Sequence, residues 1–366
     1  MDFLTTKSVE LLLSYQSTEG AFYACPNFDT YRYSWFRDGS FCALALSEFG
    51  HEREAWKFIE WSTGVVLRYQ EKIRRTIQAA SNGEELIAAD CFHSRFTLAG
   101  LEVPGNWGHN QLDGLGTWLW LIGQFRQQHC SLPMPAEVAQ AAGLVKDYLT
   151  ALWKLPCSDC WEEHEDMLHT YTLASISAGL KSYSQLFADP QAAACAEEIK
   201  TFILKNCVHA GAFIKSIPAD GTRSKLLLGV DANLIALNTP YQLFDWQDPL
   251  FQNTLARIER DLLTPGLHRY KGDSYYGSGE WVLLTEWLGW AYARAGEMEK
   301  ARTILTWSRQ QASKEGYLPE QVPHGLFVPA GYPEWVERWG EIASPLLWSH
   351  AKYLLLVKSI NGAGEK

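Results

Sequence analysis

The chain has little of what marks a membrane, secreted or nucleic-acid-binding protein. No stretch of its 366 residues approaches the roughly 18 uninterrupted apolar residues of a membrane-spanning helix. The opening MDFLTTKSVELLLSYQ lacks the basic and apolar regions of a secretory leader. Lysine and arginine number 32 against 42 aspartates and glutamates, a net charge of -10, so nothing would neutralise a phosphate backbone. These absences predict a soluble, cytoplasmic protein with neither a nucleic-acid nor a membrane partner. Cysteine is sparse as well: Cys25, Cys42, Cys91, Cys130, Cys157, Cys160, Cys195 and Cys207 are scattered over a long chain, and free thiols are expected. No Pro/Ser/Gly linker or low-complexity tract divides the sequence, which predicts a single domain over 1–366.

What the chain has in abundance is aromatic rings: 16 Trp, 16 Tyr and 16 Phe, with many of the tryptophans beside Asp, Glu, Arg or Gly. Rings next to fixed polar groups suit a sugar, whose C–H face stacks while its hydroxyls hydrogen-bond; a Trp-rich core explains the count equally well. Apolar residues recur at helical spacing over 6–16, 38–50, 52–72, 112–128, 136–153, 170–187, 190–206, 246–262, 280–295, 297–313 and 344–358, while strand alternation is rare. The fold class is therefore all-α. Two segments echo each other, ALALSEFGHEREAWKFI and AYARAGEMEKARTIL: a helix ends at Gly50 or Gly296, and Ala55 or Ala301 sits five residues later in the next helix. Glycine supplies the left-handed turn and alanine lets the returning helix pack close, so a helical hairpin is predicted at least twice. The longer connections, 17–37, 88–111, 154–166, 264–279 and 314–343, hold most of the candidate chemistry, as loops above about 12 residues in compact domains usually do.

In CSDCWEEHED (157–166), Asp159, Trp161, Glu162 and Glu163 stand ahead of a helix whose periodicity begins near Tyr171. A carboxyl among carboxyls and beside an indole ionises less readily, so either Glu162 or Glu163 can hold a proton near neutrality as a general acid must. An acidic helix N-terminus is the commoner meaning of such a run. Glu320 in GYLPEQ lies in a loop, because Pro319 biases Leu318 towards extended backbone; beside Gln321 it could hold an attacking water, or be an exposed loop carboxylate. In YRYSWFRDGS (31–40), Arg37 and Asp38 occupy a helix mouth and suit adjacent hexose hydroxyls or, equally, an N-cap with its paired arginine. NWGHNQLDGLG (106–116) and HRYKGDSYYGSGEW (268–281) supply Gln111, Asp113, Arg269 and Asp273 at a density that a plain connection does not need. Cys157-x-x-Cys160 has no second Cys pair, His164 and His169 lie five apart rather than at zinc spacing, and no strand–helix unit is expected beside it for redox work. The pair is read as packing, and neither a metal nor a cofactor is expected.

Taken in order, Tyr31, Trp35, Arg37 and Asp38, then Trp107, Gln111, Asp113 and Gly114, then Asp159 to Glu163, Arg269 to Tyr276 with Trp281, Glu320 in PEQ, and Pro345 to Ala351 make the chain resemble glycoside hydrolase family 15, the glucoamylases and their relatives. The resemblance runs over nearly the whole chain and implies an (α/α)6 barrel with its active site in a funnel of loops at one end. It implies Glu162 as general acid and Glu320 as general base, Arg37 and Asp38 on hydroxyls of the terminal glucose, and Arg269 on the same sugar. It also implies Tyr31 near the reacting carbon, Trp107 against the acid and Glu163 at the leaving-sugar subsite, with Trp35, Gln111, Asp113, Trp161, Tyr275 and Trp281 completing the substrate-binding set. The implied reaction is inverting hydrolysis that releases β-glucose from an α-glucoside, for which the two carboxyl groups stand roughly 6.5 to 9.5 Å apart.

No N-terminal β-sandwich or starch-binding module is expected, which points to a short oligosaccharide of isomaltose or maltose type as the partner. Linkage preference and oligomeric state stay open, and the segment 324–343 is expected to bear on linkage. A trehalase of the same barrel and a catalytically silent sugar-binding regulatory domain are the alternatives; retention of both Glu162 and Glu320 speaks against the silent domain.

Overall fold

The computed structural model describes residues 2–105, 107–129, 133–220 and 229–362. Asn106 of the predicted site loop and Cys130 lie outside the described residues. In chain order the helices are α1 (Phe3–Ser14), α2 (Phe36–Glu48), α3 (Glu52–Arg68), α4 (Gln70–Ser81), α5 (Asp113–Gln128), α6 (Ala136–Leu152) and α7 (Thr170–Phe187). They continue with α8 (Pro190–Asn206), α9 (Pro249–Leu262), α10 (Val282–Ala295), α11 (Met298–Gln311), α12 (Gly331–Trp339) and α13 (Leu347–Gly362).

Successive contacts close a ring: α2 packs on α5, α5 on α7, α7 on the 3-10 helix Ala232–Leu237, that helix on α10, α10 on α13, and α13 again on α2. Around it α1, α3, α6, α8, α9 and α11 each lie against one or two members of the ring. This is the (α/α)6 barrel. Burial follows the two roles. Every residue of α2 from Phe36 to Ser47 is buried, whereas α9 buries only the stripe Phe251, Thr254, Leu255, Ile258 and Leu262 that faces inward. The buried apolar side chains form one cluster running from Leu4 to Val357.

Both predicted hairpins are present. Gly50 and Gly296 take φ of +83° and +86° as their helices end, and Ala55 and Ala301 are fully buried where the return helices pack. Helices α5 and α7 approach so closely that a Cβ on Gly179 would stand 2.4 Å from the Gly116 carbonyl oxygen.

The structure also departs from the sequence reading. The periodic run 52–72 is two helices, broken at Tyr69, and α4 extends to Ser81. The run 246–262 becomes helical only at Pro249, where the Asp248 carboxylate accepts from Leu250 and Phe251 N–H and Pro249 fills the first turn. Segment 324–343 contains α12. Short strands also occur, in four antiparallel pairs: β1 (Ser34–Trp35) with β2 (Arg95–Phe96), β3 (Met167–His169) with β6 (Ser216–Pro218), β4 (Val208–His209) with β5 (Ala212–Phe213), and β7 (Glu280–Trp281) with β8 (Gln321–Val322). At two or three residues each they are too short to show a period of two. Three of them, β1, β3 and β7, run straight into the inner helices α2, α7 and α10 and so fix where those helices begin.

Candidate active site

The chemistry gathers where the chain enters the inner helices. Trp35, Arg37 and Asp38 come from the start of α2, Glu162 and Glu163 from the loop before α7, Trp281 from β7 ahead of α10, and Trp348 from the first turn of α13. There they surround a cavity of about 370 Å³, lined also by Tyr31, Trp107, Trp161, Arg269, Tyr275 and Glu320. Twelve of the residues expected to act on substrate thus share one wall. The remaining two, Gln111 and Asp113, do not line the cavity. They are buried behind it, where Gln111 Oε1 and Asp113 Oδ2 accept from Arg37 Nη1 at 3.0 and 3.1 Å. Both therefore brace other groups from behind the cavity wall.

The acid loop is held from several sides. Asp159 Oδ1 accepts from the N–H groups of Trp161 and Glu163 at 2.9 and 3.0 Å, while Glu162 N–H donates to the Asp159 carbonyl at 2.9 Å. This turn forces Glu162 to φ +68°, a left-handed conformation that an ordinary L residue adopts only when its surroundings dictate it. Glu162 Oε1 accepts from Trp35 Nε1 at 2.8 Å and from Gln111 Nε2 at 2.9 Å. With two N–H donors on Oε1, the other oxygen is the one left to carry a proton. Glu163, the rival acid in the sequence, is instead bound by Arg269 Nη2 at 3.2 Å and by the Tyr270 hydroxyl.

Glu320 sits at the edge of β8. Pairing of Trp281 with Gln321, with Val282 N–H donating to the Glu320 carbonyl at 3.0 Å, fixes its backbone against the start of α10. Its side chain is buried, not exposed. Oε1 accepts from the Tyr31 hydroxyl at 3.2 Å, and Oε2 has no protein partner. Burial pushes this carboxyl up to about 8; Arg269 and the Tyr31 hydrogen bond pull it down, and Asp38 and Asp273 push it further up. The Tyr31 ring meets the Trp35 ring edge-on at 5.9 Å, so a pair of aromatics links Glu320 to the donor that holds Glu162. The neighbouring Gln321 fastens the loop, its Oε1 accepting from Gly279 N–H at 3.0 Å.

The cavity-facing polar groups are paired from behind. Arg37 Nε lies 3.4 Å from Asp38 Oδ2, and its guanidinium stands 5.2 Å from the Trp348 ring. Burial raises Asp38 to about 6 against the opposing pull of Arg37, with Glu162 and Asp113 adding to the rise. Arg269 is gripped by both Asp273 oxygens, with Nε 2.8 Å from Oδ2, and is ringed by Trp161, Tyr275 and Trp281 at 4.9 to 5.4 Å. Each such charged, buried hydrogen bond contributes about 1.5–3 kcal/mol, enough to hold the guanidinium in one pose. Trp107 carries the Arg95 guanidinium 3.6 Å over its ring, a contact that the sequence did not suggest.

Cys157 and Cys160 are buried thiols, both pushed up by burial. A short strand, β3, does follow them and bridges to Cys157 at Met167, but Cys160 Sγ accepts from Asn233 Nδ2 at 3.2 Å and lines the cavity. His169 bonds Ser216 and the backbone oxygens of Cys157 and His164, so these side chains do not converge on a common centre. Among the described residues no group of three or more His, Cys, Asp or Glu has the geometry of a metal site.

Sequence reasoning missed Arg95, Lys215, Asp231 and the α12 side chains Trp335, Arg338 and Trp339 that border the cavity. The first three are lone residues whose partners are distant in sequence. For α12 the cue was available, since WVERW carries its aromatic residues at helical spacing.

A cavity faced by two differently held carboxylates and walled with tryptophan and arginine, at one end of a double ring of helices, defines a glycoside hydrolase. The model of glycosyl hydrolases family 15 matches residues 1–358, and the chain belongs to that family. It is 35% identical to the isomaltose glucohydrolase of Kribbella flavida, over 98% of this chain and 92% of that protein. It is 23% identical to trehalase 1 of Sulfolobus acidocaldarius, over 91% of this chain but only 57% of the trehalase. Among solved structures, a glycosidase in which a glutamate is replaced by alanine, in complex with glucose, superposes with a TM-score of 0.91 at 35% identity, covering 98% of this chain and 96% of that one. The glucoamylase of Saccharomycopsis fibuligera superposes with a TM-score of 0.74 at 14% identity, covering 99% and 95%, and shares the fold. The chain is an inverting, exo-acting glycoside hydrolase of the glucoamylase type.

Proposed function

We propose that this enzyme releases β-glucose from the non-reducing end of isomaltose and similarly short α-gluco-oligosaccharides, with Glu162 as general acid and Glu320 as general base. The observation that carries the assignment of roles is the contrast between the two carboxylates on one cavity. Glu162 has Oε1 occupied by two N–H donors, which leaves Oε2 for the glycosidic oxygen. Glu320 has Oε2 without a protein partner, a place for the attacking water. In this mechanism Glu162 passes its proton to the leaving oxygen as the C–O bond breaks, and Glu320 takes a proton from the water that attacks the opposite face of the anomeric carbon. Arg37, Asp38 and Arg269 hold the terminal glucose, with Trp35, Trp161, Tyr275 and Trp281 against its faces. Trp335 and Trp339 border the cavity and are the natural contacts for the leaving sugar.

Isomaltose is favoured because the relative that matches this chain at 35% identity over almost its full length is named for it. Trehalase is the second reading, favoured by a match of 23% identity that spans 57% of trehalase 1 of Sulfolobus acidocaldarius. We further propose that residues 1–366 act as one catalytic unit, and that the enzyme works in the cytoplasm, where its described cysteines, all buried free thiols, would stay reduced. Incubation with isomaltose, maltose, kojibiose and trehalose tests the substrate. Isomaltose is expected to give the highest kcat/KM; a preference for trehalose selects the second reading, and binding without glucose release from any of the four selects a silent sugar-binding domain.

A further inference from the structure

A lysine that nothing in the reaction calls for is buried beneath the acid loop. Lys215 precedes β6 and is 5% exposed, and it does not line the cavity. Its Nζ lies 2.9 Å from Asp159 Oδ2 and 2.6 Å from Asp231 Oδ2, and 3.8 Å above the Tyr270 ring. The two aspartates lead to different parts of the site. Asp159 uses its other oxygen to hold the N–H groups of Trp161 and Glu163, and thereby the turn that carries Glu162 at φ +68°. Asp231 Oδ2 accepts from Trp161 Nε1 at 2.9 Å, its Oδ1 accepts from Asn233 N–H at 2.9 Å at the entrance of the 3-10 helix, and its backbone bridges to Tyr270 beside Arg269. One ammonium therefore ties the loop bearing the acid to the segment bearing the sugar-holding arginine.

We propose that Lys215 is a positioning residue for catalysis: through Asp159 and Asp231 it sets where Glu162 stands relative to the glycosidic oxygen. Without it the two carboxylates would face each other across a buried gap with no cation between them, and like charges at that range separate. The turn depends on such support, because Glu162 occupies a left-handed backbone conformation that the surrounding hydrogen bonds must enforce. A displacement of about 1 Å at a proton donor costs up to about 10²-fold in rate.

The inference rests on the assignment of Glu162 as general acid, and the test separates the two. Isomaltose has an alkoxide leaving group that needs the acid's proton. α-Glucosyl fluoride expels fluoride with little protonic help: the C–F bond breaks as water adds at the anomeric carbon, Glu320 takes the water's proton and later returns it to solvent, and glucose and fluoride ion leave. Loss of the acid's position therefore slows isomaltose far more than the fluoride, whereas general loosening of the barrel slows both alike. The control is Glu162→Gln, which should show this split outright.

For Lys215→Met we expect kcat on isomaltose to fall about 10- to 100-fold with a much smaller change on α-glucosyl fluoride, and Lys215→Arg to recover part of the loss. Should Lys215→Met fail to fold, Asp159→Asn keeps the size of the side chain and an acceptor for the loop N–H groups while removing the ion pair; it should show the same split. Equal loss on both substrates, or no loss on either, overturns the proposal. If Glu162→Gln itself fails to distinguish the substrates, the acid assignment falls instead; if Glu162→Gln splits them and the Lys215 and Asp159 variants do not, only the positioning role falls.

Discussion

Replacing Tyr31 by phenylalanine removes the one hydrogen bond that the described residues make to the carboxyl of Glu320. The Tyr31 hydroxyl donates to Oε1 at 3.2 Å, and Oε2 has no protein partner. Burial beside Glu320 holds Tyr31 well above the ordinary tyrosine value, so it remains a donor throughout the working range. The bond favours the ionised form of Glu320, which burial disfavours; burial outweighs it, and with the bond in place the carboxyl stands raised from 4.5 to about 8. A hydrogen bond to a charged group contributes about 1.5–3 kcal/mol, and about 1.4 kcal/mol corresponds to one pKa unit, so its loss should raise Glu320 by about one to two units.

The base must be ionised to accept a proton, and it therefore sets the acidic limb of kcat/KM, which reports the free enzyme. Burial raises Glu320 from 4.5 towards about 8, which places the wild-type limb above 4.5 and towards 8. The assay is kcat/KM for isomaltose against pH for wild type and Tyr31→Phe. The limb should move to higher pH in the variant, whatever happens to the height of the plateau. An unmoved limb, or one shifted to lower pH, refutes the electrostatic account of the base; so does a wild-type limb at or below 4.5.

Glu162→Gln and Glu320→Gln should each lower turnover by about 10²- to 10⁴-fold while leaving the far-UV circular dichroism spectrum unchanged, and normal turnover in either would reassign the site. Glu320→Gln should also gain stability relative to wild type as pH rises. The unfolded chain loses this proton near 4.5 while the folded protein keeps it towards 8, so wild-type stability falls across that window by up to about 1.4 kcal/mol per pH unit, and the amide is spared the fall. Melting temperatures at both ends of the window check it: a difference between variant and wild type that does not grow with pH counts against the buried base. Trp35→Phe removes an N–H donor from Glu162 Oε1 at 2.8 Å and should slow isomaltose hydrolysis by roughly tenfold or more at constant KM. An increase in KM alone would mean that Trp35 only stacks on the sugar.

The architecture was legible where the chain obeys a period. Long apolar repeats announced the helices, and Gly50 and Gly296 with Ala55 and Ala301 announced the hairpins, because chain reversal and close packing demand those residue types. The sixth member of the inner ring was invisible for the same reason: Ala232–Leu237 is a six-residue 3-10 helix, too short and of the wrong pitch for a helical pattern. At the site, clustering of charge in the long connections together with the family resemblance marked twelve residues that do line the cavity. Sequence could not say which of the polar residues would face the sugar. Gln111 and Asp113 lie at the start of α5 but serve Arg37 and Glu162 from behind. Lys215 and Asp231 stand 56 and 70 residues from their partners Asp159 and Trp161, and no local pattern announces such pairs. Their selection depends on a buried charge needing its counter-charge, a condition that only the folded chain imposes.

The central claim is that two carboxylates on one cavity act together, one giving a proton to the leaving oxygen and the other taking one from water on the far side of the sugar. Following the first minutes of isomaltose hydrolysis by proton NMR, before mutarotation blurs the anomers, tests it most directly. The account predicts that the anomeric signal from the released non-reducing glucose appears as β-glucose; its first appearance as α-glucose would contradict it.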